Sequence, residues 1–361
     1  MDRELVSDAG PPQGAKAPSG GSAVHEVTSV GAGIHPRDIL LGAQAQTGFI
    51  PVCDHYSGVE ARMRKSLQLQ AEMTQEFGAC VFDVTLDCED GAPIGGEAEH
   101  AALVVALALL AGDQARVAVR VHPVDHPAFE QDIATIAGKA GHKLRHVMIP
   151  KVESVQDVQR ACQALDAAGA GPLPVHVLIE SPTAVHRAFD IASHPRVQSL
   201  SFGLMDFVSA HGGAIPSQGM GIEGQFTHPL VVRAKLEIAS ACHAHGKVPS
   251  HAVVTEFKDA KALGEAARKA ARDFGYTRMW SIHPDQIRPI LEAFAPSAHE
   301  IDTATKIITK AVQADWAPIS FEGKLEDRAS YRYYWQVLEK AHQTGRQLPV
   351  EVLGWFEARR H

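Results

Sequence analysis

Eight short β-branched runs separated by helical stretches predict a (β/α)8 TIM barrel for this chain. Two further observations support that fold. Acids close several of the runs, which is where a parallel barrel presents ligands. No glycine-rich phosphate fingerprint follows the first run, which disfavours a doubly wound open sheet. The expected strands are 48–52, 80–87, 116–121, 146–150, 175–179, 197–202, 247–254 and 277–282. Helical patterns fall at 59–77, 97–110, 128–139, 155–168, 182–192, 230–245 and 258–274, with another at 284–294 after the last strand. Ser154 reads as an N-cap and Pro182 as a first-turn residue.

Flanking segments differ in composition. Residues 1–24 are rich in Gly, Pro, Ser and Ala and read as a flexible N-terminal tail. The barrel is expected to occupy 25–296 as the catalytic domain, followed by a C-terminal helical arm over 297–361. Within the arm, 301–312, 331–344 and 350–359 read as helices, and 317–325 as an irregular linker. Its aromatics Tyr331, Tyr333, Tyr334, Trp335 and Trp355 look exposed.

A chain of 361 residues can bury a large core. Its net charge of −8 argues against nucleic-acid or membrane partners and requires local cations for any anionic substrate. The five cysteines, Cys53, Cys80, Cys88, Cys162 and Cys242, show no metal-type spacing and fit reduced thiols in a cytoplasmic protein. No apolar run is long enough to span a bilayer, and Asp2, Arg3 and Glu4 stand where a signal peptide needs apolar residues.

The chemistry concentrates at predicted strand ends. Glu180 closes the run 175–179, and Asp206 follows 200–202 by four residues. The two acids lie 26 residues apart, one strand–helix–strand repeat, so neighbouring strands can aim both at one divalent cation. Asp87, Glu89 and Asp90 end the second strand, and Arg120 ends the third between Val119 and Val121. Lys151 and Glu153 follow the fourth. Oxygen ligands plus a guanidinium suit Mg²⁺ better than zinc. Each residue has a plainer alternative: helix caps for the acids, a rim ion pair for Lys151 and Glu153, a structural turn for His283. One shared site accounts for the whole set more economically than separate caps.

These segments resemble the citrate lyase β-subunit-like and malyl-CoA lyase-like (HpcH/HpaI) aldolases. Residues 86–90 (LDCED) resemble the family's LDLED segment, and 119–121 resemble its VRIN. Residues 148–154 reproduce MIPKVES, and 178–181 are similar to LIES. Residues 202–207 (FGLMDF) and 281–287 (SIHPDQI) resemble FGxxDF and AIHPxQI. Residues 323–330 resemble the C-terminal GRLVDIAS-like segment. The segments at 51–57, 122–123 and 249–254 depart from the family pattern, and they read as loops that set substrate choice.

The resemblance implies a Mg²⁺-dependent carbon–carbon lyase, a homotrimer or hexamer, acting on a β-hydroxyacyl thioester such as a malyl-CoA- or citryl-like substrate. Under it Glu180 and Asp206 bind Mg²⁺, and Arg120 binds the oxygen on which enolate charge develops. Glu89 and Asp90 orient the metal's water ligands. Asp327 serves as acid/base from a neighbouring subunit. A Mg²⁺-dependent aldolase on free 2-oxo acids, without CoA, is the alternative, and a non-catalytic metal-binding barrel is a further one.

Overall fold

The computed structural model describes residues 35–42 and 50–357, so the expected tail at 1–24 lies outside the described residues. Eight parallel strands close in chain order: β1 Cys53–Ser57, β2 Phe82–Asp87, β3 Val117–Arg120, β4 Leu144–Ile149, β5 Val175–Ile179, β6 Val197–Phe202, β7 Val248–His251 and β8 Arg278–Ser281. Pairing of β1 with β8 completes the barrel. Alternation along each strand decides what each face meets. Val84, Leu86, Val117, Val119, Val147 and Val177 face the surrounding helices in one large apolar cluster. Residues between them face the lumen, where Tyr56, Met148, Leu178 and Trp280 form a second, smaller cluster.

Local signals explain several element boundaries. Ser154 caps the helix Val155–Ala167 through a capping box with Asp157. Ser181 caps Pro182–His186, with Pro182 in the first turn. The stretch 182–192 is broken at Arg187 into two short helices, and 128–139 passes through a π-helical turn at Ile133–Ala137.

Three expectations are corrected. The first strand is Cys53–Ser57 rather than 48–52. It is buried throughout, although its sequence is polar, because Asp54 faces a lumen that supplies polar partners and Tyr56 stacks there on Trp280. The segment 317–325 is no irregular linker: β9 Ile319–Phe321 and β10 Lys324–Glu326 pair as an antiparallel hairpin. Tyr331 and Trp335 are fully buried. They pack with Ile307, Ile308 and Leu338 of the arm and with Leu40 of the helix Pro36–Leu41. The Tyr331 hydroxyl donates to Ala317 O at 2.8 Å and Glu326 O at 3.1 Å, which ties the hairpin to the helix Arg328–Gln343. No helix among the described residues is long and apolar enough to cross a membrane.

Candidate active site

Arg120, at the end of β3, is buried and gripped from one side. Its Nε and Nη2 donate to the two Asp87 oxygens at 2.7 and 2.5 Å, a bidentate fork that fixes the guanidinium plane. Nη1 lies 3.0 Å from Glu89 Oε2. Burial opposes the charge, but Asp87 outweighs it and holds Arg120 protonated well above its ordinary range. Asp87 is itself braced by the backbone N–H groups of Glu89 at 3.0 Å and Gly91 at 2.9 Å. A Cβ on residue 91 would sit 2.3 Å from Asp87 Oδ2, so glycine is required there. Sequence reasoning placed Asp87 in the acidic cluster but not as the clamp on Arg120. That contact crosses strands, and sequence spacing does not encode it.

A chain of contacts leads from Arg120 to Glu180. Lys151 Nζ pairs with Glu89 and lies 3.7 Å from Asp90. Lys151 takes the left-handed backbone region (φ 51°), and its N–H donates to Glu180 Oε1 at 2.6 Å. Glu180 follows β5 and is buried. Its pKa rises to about 8, first through burial and then through the charge of Asp206. Asp206 sits in the first turn of the helix Leu204–Ser209. Gly203 makes the approach possible: a Cβ there would lie 2.5 Å from Glu180 Cβ and 2.6 Å from Oε2.

Beneath the mouth lies an aromatic floor that the sequence reading did not pick out. Tyr56 and Trp280 stack at 4.5 Å, and the Arg120 guanidinium lies 5.6 and 6.0 Å from their ring centres. A buried polar layer lies one strand repeat further down the lumen. Arg278 Nη2 is 2.7 Å from both Asp54 and Asp83, and Arg116 Nε is 2.6 Å from Asp83.

The HpcH/HpaI aldolase/citrate lyase family model matches residues 67–284. The chain belongs to that family. A crystal structure of a citrate lyase from Burkholderia xenovorans LB400 is 47% identical and superposes with a TM-score of 0.73, covering 90% of this chain and 99% of that one. The L-malyl-CoA/beta-methylmalyl-CoA lyase of Cereibacter sphaeroides (strain ATCC 17029 / ATH 2.4.9) is 29% identical over 283 residues, 72% of this chain and 87% of its own length. The fold is shared with Mycobacterium tuberculosis CitE, solved with magnesium, acetoacetate and coenzyme A (22% identity, TM-score 0.59, 81% of this chain and 98% of that one).

The lyase class expected from the sequence is thus the class of the family. Among the residues nominated for its chemistry, Arg120, Glu89, Asp90, Glu180 and Asp206 come together at the strand carboxyl ends. Asp327 does not join them within one chain. It caps the helix Arg328–Gln343, accepting from Ala329 N at 2.9 Å and Ser330 N at 3.4 Å, and it is exposed. Lys151 and Glu153 form no rim pair, since Lys151 turns to Glu89 and Glu153 accepts from Ser181 Oγ at 2.7 Å. His283 is a turn residue: it caps Pro284–Gln286 and stacks on Phe257 at 4.7 Å.

Two of the three segments read as substrate-choosing loops contain barrel strand. Residues 53–57 are β1, and 249–251 belong to β7. The third, at His122, is held by Asp132, with Nδ1 to Oδ2 at 2.6 Å.

Proposed function

We propose that this chain is a Mg²⁺-dependent carbon–carbon lyase that cleaves or forms a β-hydroxyacyl thioester of the malyl-CoA or citryl type. The observation that carries the reading is the contact chain Arg120–Glu89–Lys151–Glu180 with Asp206 beside it, a buried cation next to a pair of carboxylates. The donor set fits Mg²⁺: two oxygen ligands, with burial first and the charge of Asp206 second driving Glu180 toward protonation, a cost that a divalent cation relieves. Glu180 and Asp206 would hold the ion, which supplies Lewis-acid stabilisation of charge on the substrate's oxygens.

The remaining chemistry belongs to the chain's own residues. In cleavage the β-hydroxyl passes its proton to water and its carbon becomes a carbonyl. The C–C electron pair passes to the acyl α-carbon and its carbonyl oxygen, giving an enolate. Arg120, planar and preorganised by Asp87, binds that oxygen as its charge grows. Glu89 and Asp90 would orient water beside that ion. Asp327, carried on the arm of a second copy in a homo-oligomer, returns a proton to the enolate carbon. The five cysteines are free thiols, which supports a cytoplasmic setting.

Mg²⁺-dependent release of acetyl- or propionyl-CoA with glyoxylate from malyl-type thioesters tests the reading. Mg²⁺-dependent proton exchange of pyruvate in D₂O, without acetyl-CoA binding, would replace it with the free oxo-acid aldolase. Neither activity in a protein that binds Mg²⁺ would leave a non-catalytic barrel.

A further inference from the structure

We propose that Lys151 is a positioning residue of the reaction: its backbone holds Glu180, and its ammonium shares Glu89 with Arg120 so that Arg120 keeps charge for the enolate. This role rests on the lyase reading above, because it matters where Arg120 meets a developing negative charge. Lys151 joins the two halves of the site by two separate means, one through the main chain and one through the side chain.

The main chain comes first. Lys151 follows β4 in the left-handed backbone region, at φ 51°. Glycine enters that region freely and asparagine readily, whereas a bulky side chain is strained there. Among the described residues the other non-glycine cases, Asp315, Trp316 and Glu322, all lie in the arm, so Lys151 is the barrel's own. The strain has a visible use. It turns the Lys151 N–H onto Glu180 Oε1 at 2.6 Å, across the join between β4 and β5. Glycine would present the same N–H without strain. Lysine in its place therefore points to work for the side chain.

The Lys151 ammonium lies on Glu89, with Asp90 Oδ1 3.7 Å away. Glu89 spans two cations: Oε1 meets Lys151, and Oε2 lies 3.0 Å from Arg120 Nη1. Burial opposes the Glu89 charge, but Arg120 and Lys151 outweigh it and hold the carboxyl below its ordinary range. Arg120 already meets Asp87 through two bonds, one carboxylate for one guanidinium. A second carboxylate beside it, unshared, would cancel the charge that a developing enolate requires. Lys151 takes the other Glu89 oxygen and offsets that second carboxylate. Burial lowers the Lys151 pKa, but its bond to Glu89 raises it further, so the group is a fixed charge and no Schiff-base nucleophile. Exposed ion pairs count for little, and the Lys151 side chain is 40% exposed. Its partner is only 6% exposed, which leaves the Glu89 charge poorly screened by water.

Substitution separates the two parts. Lys151→Met is expected to lower kcat on a malyl-type thioester by about ten-fold or more, with KM and the Mg²⁺ Kd within about three-fold of wild type. Oxalate, a planar dianion like an enolate, should bind the Mg²⁺-saturated variant about ten-fold more weakly. Lys151→Arg, which keeps the charge, should recover much of both losses. Glu89→Gln/Lys151→Met should lose no more kcat or oxalate affinity than Glu89→Gln alone, because the charge that Lys151 offsets is then gone. Near-normal kcat and oxalate binding in Lys151→Met overturn the side-chain part, as do losses that multiply in the double variant. For the main chain, Lys151→Gly and Lys151→Asn should keep wild-type Mg²⁺ affinity in calorimetric titration. Lys151→Val, β-branched and unsuited to the left-handed region, should weaken it by about ten-fold or more. Weaker Mg²⁺ binding in the glycine variant overturns this part, and so does wild-type affinity in a folded valine variant. A wild-type chain inactive on thioesters overturns the lyase reading instead, and the oxalate and Mg²⁺ titrations then decide the role of Lys151 without turnover.

Discussion

At the residue scale, orientation matters as much as charge. Arg120 meets Asp87 through two parallel bonds that an ammonium cannot reproduce. Arg120→Lys is therefore expected to lower turnover by about 10²-fold or more, the scale of losing one oxyanion donor. Near-normal turnover in that variant would return Arg120 to a structural role.

Glu180 yields a pH prediction. Its folded pKa, about 8, lies above the ordinary 4.5, so the folded chain binds this proton more tightly than the unfolded one. Its contribution to stability is full below about pH 4.5 and is lost as pH rises toward about 8. Mg²⁺ favours the carboxylate, so the stabilisation that Mg²⁺ provides should grow across the same window. Unfolding midpoints of wild type and Glu180→Gln, with and without MgCl₂, check this. Parallel pH profiles for the two proteins would show that the acid is not strained.

Arg120, Glu180 and Asp206 were readable from the sequence because strand ends and a family pattern point to them. The Asp87 clamp on Arg120 was not, since a contact between neighbouring strands leaves no mark in sequence spacing.

At the element scale, the site depends on loops that pass without side chains. Gly203→Ala is expected to retain the barrel and its circular dichroism but to push Glu180 aside, weakening Mg²⁺ binding by roughly ten-fold or more, the order set by a displaced ligand or its support. Calorimetric titration with Mg²⁺ measures this, and unchanged affinity would mean that the loop yields freely. Most strands were legible as β-branched runs. β1 was not, because Asp54, His55 and Tyr56 give it a loop's composition, and the apolar run before it drew the assignment upstream. The hairpin β9–β10 was missed for a related reason: three-residue strands with exposed positions, among them Leu325, carry too short a pattern to register.

At the scale of the whole molecule, Asp327 is the open join. Within its own chain it is a helix cap, and among the described residues no hydrogen bond or ion pair joins it to Arg120 or Glu180. A catalytic part for it requires the arm of one copy over the barrel mouth of another. Mixing Asp327→Asn chains with Arg120→Ala chains should restore activity, because some mixed sites draw both intact residues from different chains. Absence of rescue despite verified subunit exchange, or a monomer in solution, would remove Asp327 from the reaction.

The arm also joins distant parts of the chain. Leu40 shares one apolar cluster with Tyr331, Trp335 and Val352, and Arg37 pairs with Glu339 across 302 residues of sequence. On the ribosome the helix bearing Leu40 emerges early and waits, its apolar side unmatched, until the arm's helices have been made. Contacts of such long separation are costly in loop entropy and form late. Barrel closure needs only strands that precede the arm, so the sheet can close while the flank that the arm covers is still unfinished. A chaperone, or another nascent copy, would meet the protein at that flank.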